Sequence, residues 1–341
     1  MNRRRWIQAA VLLGIGLLIL IGLFRTVHLA DVAQAIQHAS VWLILVGMLS
    51  IPAFILLRGW RWQIILHASA PQTGFADATA VTAVGFAVNS VAPFKIGELL
   101  RMAAIAPRAQ VAVAEALATV AIERVLDVVA LFVIAVGAAI ASGSGSAAGG
   151  LWRGVAAFSV VSFAGGAVAF WLVSNPARTL AWWVSLAGRL PARLQARAVS
   201  LGESVLRGLS SLRSARRLLG TFALSVAIWA VLLIGSLAYF RSVSSQLSLG
   251  TLLLALALFT ITQAVSFTPG SVGTFEGFYL LVLSAAFGAH PQSIVTAAAI
   301  LTHVGGIVVL LVLGALGALW LRLVPSMPVR FQRPLASQDS A

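Results

Sequence analysis

The chain has 341 residues, 60% of them hydrophobic and 9% charged, against about 25% charged in a soluble globular protein; this excludes a soluble fold and points to a polytopic membrane protein. Its 23 Lys and Arg against 9 Asp and Glu give a net charge of +14, but the basic residues flank apolar runs, so they read as topology signals facing anionic lipid and not as a nucleic-acid surface. No cysteine is present, which excludes disulfides and thiolate metal sites, and nothing in the sequence calls for a cofactor or metal.

The N-terminus, "MNRRRWIQAAVLLGIGLLILIGLF", is basic like a signal peptide, but its apolar run exceeds the roughly 7–15 residues of such a segment. It is expected to stay as an uncleaved first span. A helix needs roughly 20 mostly apolar residues to cross the hydrocarbon, and residues 6–24, 41–57, 122–142, 151–173, 219–240 and 292–321 offer such runs without period-2 alternation. Between them, 75–106 and 249–288 each hold two shorter apolar segments joined at a Pro-Gly-rich break. The expected fold is all-α, a membrane helix bundle of about six full spans plus two broken or re-entrant hairpins in inverted repeat. It forms one transmembrane domain over 1–326, with a disordered tail over 327–341.

Arg3, Arg4 and Arg5 set the N-terminus inside, and Arg58 and Arg61 mark the return of the second span. The uncharged "SGSGSAAGG" suits an outside loop, so 75–106 must enter and come back. Of the 23 basic residues, only Arg25, Arg153 and Arg241 then lie outside. The expectation is a multi-pass protein of the cytoplasmic membrane with both termini in the cytoplasm. The cytoplasmic segment 175–218 places Leu194, Ala198, Leu201, Val205, Leu209 and Leu212 at helical spacing, with arginines on the remaining faces. It reads as an interfacial amphipathic helix on anionic headgroups, each nearby basic residue contributing about 1 kcal/mol; a surface for a partner protein is the competing reading.

The two breaks carry the chemistry. "NSVAPFKIGELLRM" and "QAVSFTPGSVGTFEGFYLL" each present an amide, then Pro, then Gly, then Glu: Asn89, Pro93, Gly97, Glu98, and Gln263, Pro269, Gly270, Gly273, Glu276. Pro removes a donor and Gly permits irregular dihedrals, so each break frees backbone groups that lipid cannot satisfy. A charge at mid-membrane costs about 2.5–3.5 kcal/mol on insertion scales. Glu98 and Arg101, three apart, are spaced to pair on one helix face, whereas Glu276 has no local cation. Ordinary loop ends with snorkelling charges are the bland alternative.

A second group supports these. Arg58 and Arg61 share a helical face beside Trp60 and Trp62, which suits a lipid phosphate or a simple anchor. Glu123 and Asp127, four apart with Arg124 adjacent, are placed to neutralise Arg58, Arg61 or Arg101 across the bundle as structural ion pairs. His303 in the last span reads as a hydrogen-bonded packing residue before a proton relay. Its neighbours Gly305, Gly306, Gly314 and Gly317 indicate close helix packing.

"RGWRWQIIL", "NSVAPFKIGELLR", "ERVLD" and "FTPGSVGTFEG", in that order, resemble the motifs of the lysylphosphatidylglycerol synthase transmembrane-region family, flippase-like integral membrane proteins. The resemblance runs from about residue 6 to 322, with Lys95 where Arg is favoured and Ser271 where a second Gly is favoured. It implies a translocase for a lipid or lipid-linked substrate, without the soluble synthase domain and so without enzymatic activity. On that basis Arg58, Arg61, Lys95 and Arg101 are expected to receive an anionic headgroup of a phospholipid or polyprenyl-linked lipid. Glu98 and Glu276 gate or counter its charge, and Asn89 and Gln263 hydrogen-bond it. No ATP-binding loop is present, so transport is expected to be passive or ion-coupled. The alternative is a non-transporting scaffold whose partners are enzymes of envelope lipid or glycan biosynthesis.

Overall fold

A computed structural model describes residues 3–67, 70–142, 175–209, 215–245, 248–263, 268–287 and 292–323, with Val168 and Trp171. In chain order the α-helices are α1 (Arg3–Thr26), α2 (Leu29–Gln37), α3 (Val41–Leu66), α4 (Phe75–Asn89), α5 (Ile96–Ala109), α6 (Val113–Ser142), α7 (Pro176–Ala187), α8 (Ala192–Leu209), α9 (Ala215–Val243), α10 (Leu249–Thr262), α11 (Thr274–Phe287) and α12 (Gln292–Leu323). Single 3₁₀ turns at Pro93–Lys95 and Pro269–Ser271 complete the structure, and no strand occurs among the described residues. The expected span over 151–173 and the tail over 327–341 lie outside the described residues.

Among the described residues four helices are long and apolar enough to cross a membrane: Val41–Leu66, Val113–Ala141, Arg216–Val243 and Gln292–Arg322. Their outer faces keep residues such as Leu49, Ile140, Leu311 and Leu316 exposed. Apolar surface on that scale marks contact with lipid, so this is a multi-pass membrane protein. Helix α9 packs along α3, and α12 along α4. The second crossing is close because Gly314 faces Ala87 and Gly317 faces Ala80. Gly305 abuts the Tyr239 ring, while Gly306 meets only the Ile51 methyl in ordinary contact. The largest buried apolar cluster joins α6, α9, α10, α11 and α12 through residues such as Phe240, Leu252, Phe259 and Leu283.

The segment 75–106 and the described residues of 249–288 each form helix, 3₁₀ turn, helix. Their arms have 15, 14, 14 and 14 residues, about 21–22 Å at 1.5 Å per residue, shorter than the roughly 30 Å hydrocarbon. The arms of each pair pack against one another, α4 with α5 and α10 with α11. The open end of the first hairpin is tied to α12. Arg108 Nη1 donates to Asp77 Oδ1 at 2.8 Å, Arg108 Nη2 donates to the Leu321 carbonyl at 2.7 Å, and the Trp320 indole donates to the same Asp77 oxygen at 3.2 Å.

Three helices, α2, α7 and α8, have no counterpart among the long apolar runs. Short α2 buries Val32 against Val27 and Ala297. Within 175–218, α8 carries the leucine pattern from Leu194 to Leu209, Leu212 lies outside the described residues, and α7 precedes the pattern and packs on α8, the Trp183 indole donating to the Ala198 carbonyl at 2.6 Å. Helix α8 rests on α6, yet Leu194 and Leu201, with Trp182 of α7, remain exposed.

Candidate functional site

Both breaks start from a prolyl residue at the first position of a 3₁₀ turn, and their backbones correspond through the two residues after it, then diverge at Ile96 (φ −60°, ψ −18°) and Val272 (φ −56°, ψ 127°). Ala92 (φ −97°, ψ 148°) matches Thr268 (φ −81°, ψ 149°), Phe94 (φ 58°, ψ 23°) matches Gly270 (φ 61°, ψ 13°), and Lys95 (φ 51°) matches Ser271 (φ 56°). Two successive left-handed residues reverse the chain; α5 then starts directly at Ile96, whereas the second break continues through Val272 and left-handed Gly273 (φ 78°) before α11 starts at Thr274. In the first break both left-handed positions hold side chains other than Gly, a conformation that costs about 1–2 kcal/mol per residue. Gly97 is required for a different reason: a Cβ there would collide with the Gly85 carbonyl and lie 2.6 Å from Asn89 Oδ1. That close approach lets Asn89 Oδ1 accept the Gly97 N–H at 2.8 Å, satisfying one of the free donors at the start of α5.

Beside the first break lies a buried charge cluster. Asp127 Oδ2 accepts Arg58 Nη2 at 2.9 Å, and Asp127 Oδ1 accepts Arg61 Nη1 at 2.7 Å and the Trp229 indole at 3.1 Å. Glu123 Oε1 accepts Arg61 Nη2 at 3.2 Å, and Glu123 Oε2 accepts Arg101 Nη2 at 2.9 Å. Arg61 also donates to Ser225 Oγ at 2.6 Å, and Arg101 to Thr82 Oγ1 at 3.4 Å. Aromatic faces enclose the guanidinium groups: Arg58 lies 4.8 Å from the Phe54 ring centre and Arg101 4.2 Å from that of Trp62, geometry that stabilises a cation without hydrogen bonds.

The cluster is not balanced. Glu98 pairs loosely with Arg101 at 3.7 Å and with Arg124 at 3.6 Å, and Arg124 reaches Asp127 at 3.4 Å. Lys95 is within electrostatic reach of Glu98, Arg124 and Arg58, but none of its contacts is an ion pair among the described residues. Five cations (Arg58, Arg61, Lys95, Arg101, Arg124) therefore face three carboxylates (Glu98, Glu123, Asp127). Among the described residues of the cluster, Arg58 Nε and Nη1, Arg61 Nε, Arg101 Nε and Nη1, and Arg124 Nε and Nη2 are buried N–H groups without a hydrogen-bond acceptor, against one buried acceptor without a donor, Glu98 Oε2. Buried donors normally have partners; the surplus cations, Lys95 and Arg124, are partly exposed, the Arg124 side chain at 43%, so the positive excess lies at the open edge of the cluster, where an anion can reach it.

The second break holds a separate polar network. Gly273 N–H donates to Glu276 Oε2 at 2.9 Å, the side chain three residues on capping the helix start. Glu276 Oε1 lies 2.6 Å from His303 Nδ1 on α12, and His303 Nε2 lies 2.9 Å from the Gly270 carbonyl. The imidazole stacks on Phe275 with ring centres 4.2 Å apart and planes 9° apart. Thr268 Oγ1 bonds the Val272 carbonyl at 3.0 Å and Thr274 Oγ1 at 2.8 Å, bracing the turn. The two breaks meet: a Cβ on Gly270 would lie 3.3 Å from the Ser90 carbonyl.

The model of the lysylphosphatidylglycerol synthase transmembrane region matches residues 7–314. The chain belongs to this family. The match covers the membrane region and contains no catalytic domain. No curated protein matches the chain.

In this member of the transmembrane-region family, Arg58, Arg61, Lys95, Glu98 and Arg101 come together around α3, α5 and α6, with Glu123, Arg124 and Asp127 supplying the counter-charges. Asn89 is turned to the Gly97 backbone and acts on the break itself. Gln263 caps α10, and among the described residues its side chain makes a long 3.4 Å contact with Thr262. Glu276 stands with His303, and among the described residues it shares no hydrogen-bond or ion-pair partner with Glu98. Sequence reasoning missed Ser225, Trp229 and Thr82, each a polar group within an apolar run that gives no signal of its own. It also treated Glu276 and His303 singly, since their separation of 27 positions hides the contact.

Proposed function

We propose that this protein is a flippase-like membrane protein that receives the anionic headgroup of a phospholipid or polyprenyl-linked lipid beside the first break. The observation carrying this reading is the excess of five cations over three carboxylates around buried guanidinium N–H groups without acceptors. A phosphate or pyrophosphate supplies the missing charge and several acceptors at once, and guanidinium groups bind such oxyanions in pairs. Arg61 is held by Glu123, Asp127 and Ser225, so it fixes the cluster. Lys95, Arg124 and the free edges of Arg58 and Arg101 do the binding.

The paired breaks supply the path. Short arms with the same Pro-led reversal, entering from opposite sides as an inverted repeat, would bring polar backbone to the middle of the bilayer, where irregular chain is tolerated only if it lines a protein-enclosed or watered passage. The headgroup would cross there while the acyl or prenyl chains stay in lipid. The function is transport or binding without catalysis.

Native mass spectrometry of the full-length protein released from membranes tests the binding step. Anionic lipids should remain bound to wild type and be lost from the Lys95→Gln/Arg124→Gln variant, which leaves three cations against three carboxylates. Equal retention of anionic and zwitterionic lipids by both proteins would refute the assignment and leave the scaffold reading, in which the exposed α7 and α8 faces recruit enzymes.

A further inference from the structure

The hydrogen-bond geometry at the second break determines where protons are. A carbonyl oxygen only accepts, so the 2.9 Å contact between His303 Nε2 and the Gly270 carbonyl requires hydrogen on Nε2. The 2.6 Å contact between Nδ1 and Glu276 Oε1 cannot join two bare acceptors, so a second proton lies between them. Glu276 Oε2 is already taken by the Gly273 N–H. Whether the shared proton is nearer oxygen or nitrogen, the pair as a whole is neutral, which suits its burial at 7% and 8% exposure.

We propose that Glu276 and His303 form a proton-binding site that latches the second hairpin to the last span, and that loss of its proton to water releases the hairpin. The site is built for that one ion. With the proton present, α12 holds the break at two points, the Glu276 carboxyl and the Gly270 carbonyl. With it gone, a carboxylate and an imidazole lone pair face each other at hydrogen-bond distance in a buried place. The carboxylate then has one remaining donor, the Gly273 N–H, and no cation, a state that a membrane interior penalises strongly. Separation of α11 from α12, with entry of water to Glu276, relieves it.

Among the described residues no other ionisable group makes a hydrogen bond or ion pair with Glu276 or His303. On α11, Tyr279 lies one turn beyond Phe275, with its ring 6.0 Å from that of Phe275. On α9, Tyr239 packs against Gly305. Helix α10 carries no ionisable side chain, and α1 carries none from Ile7 to Phe24 where Gly16 meets Gly273. On α4, Asp77 is engaged by Arg108, and on α3, Arg58 and Arg61 are engaged by Asp127 and Glu123. Helix α2 contributes Asp31, near its own start, within its solvent-exposed part. From the first break, Lys95 faces the charge cluster.

The latch also has a route to that cluster. Gly270, whose carbonyl His303 holds, abuts Ser90 and Val91 at the tip of the first hairpin, and Lys95 follows within the same turn. A shift of the second break is therefore felt where the headgroup is proposed to bind. The role of the proton as coupling ion rests on the translocation reading; the latch itself does not.

The absence of native cysteine allows a direct test on the full-length protein in lipid nanodiscs. Spin labels on Leu281→Cys of α11 and Leu56→Cys of α3, both at exposed positions, report the distance between the second hairpin and the bundle by pulsed electron resonance from about pH 5 to about pH 9, the range spanned by histidine chemistry. The expected result is one distance population at low pH and a second, longer one that grows as pH rises. Glu276→Gln, whose amide still donates to Nδ1 and accepts from Gly273, should stay in the first population throughout. A wild-type distribution that does not change with pH, or a Glu276→Gln distribution that changes as wild type does, overturns the proposal. A pH-dependent distance in a protein that translocates no fluorescent lipid would refute the transport reading and leave the latch standing; translocation with a fixed distance would do the reverse.

Discussion

Asp127→Ala is the perturbation that most sharply separates a fixed charge scaffold from a loose collection of charges. The carboxylate accepts from Arg58 at 2.9 Å, Arg61 at 2.7 Å and Trp229 at 3.1 Å, and it is the only carboxylate in ion-pair contact with Arg58 among the described residues. Removing it strands Arg58 as a buried cation and raises the cluster's positive excess by one, whereas Arg61 keeps Glu123. Breaking a buried pair from one side costs about 3–5 kcal/mol, and two hydrogen bonds to charged groups at about 1.5–3 kcal/mol each bracket the same figure. Glu98→Gln is the internal control. Its ion pairs are 3.6 and 3.7 Å long and its side chain is partly exposed, so the loss should stay below about 1 kcal/mol. Denaturant unfolding of the full-length protein in mixed micelles, followed by tryptophan fluorescence, yields both differences. An Asp127→Ala protein within about 0.5 kcal/mol of wild type, or equal losses for the two variants, would refute the reasoning.

Glycine substitutions test the break geometry. Gly97→Ala should lose about 1–3 kcal/mol or more through overlap with the Gly85 carbonyl, while Gly137→Ala, with open space around it, should be neutral or up to about 1 kcal/mol more stable; thermal melts in detergent rank them. Asn89→Ala should cost about 0.5–2 kcal/mol by removing the acceptor for the Gly97 N–H, and Asn89→Asp should restore it in the same assay. Lys95→Gly relieves a left-handed side chain and should raise stability by about 1 kcal/mol while weakening retention of anionic lipid in native mass spectrometry; a variant both less stable and equally retentive would contradict both halves.

Much of the fold was legible because membranes impose simple rules. Long apolar runs gave α3, α9 and α12, and the recurrence of Pro, Gly and Glu located both hairpins, since irregular backbone in lipid demands those residue types. The pairing of Glu123 and Asp127 with the arginines was legible too: carboxylates one helical turn apart in an apolar span need buried cations. What escaped was register between helices distant in sequence. Nothing near Ser225 or Trp229 announces that α9 turns them to Arg61 and Asp127, and nothing near His303 announces that α12 turns it to Glu276. Helices α2 and α7 escaped for another reason, being short, partly polar and stabilised by docking, Val32 against Ala297 and Trp183 against α8.

Reconstitution into liposomes tests the central claim most directly. Fluorescent anionic phospholipid should become accessible to an external quenching reagent faster than in protein-free vesicles, and the Lys95→Gln/Arg124→Gln protein, shown folded by its melting curve, should fall back to the protein-free rate. Wild type no faster than empty vesicles, or a double variant as fast as wild type, would contradict the account.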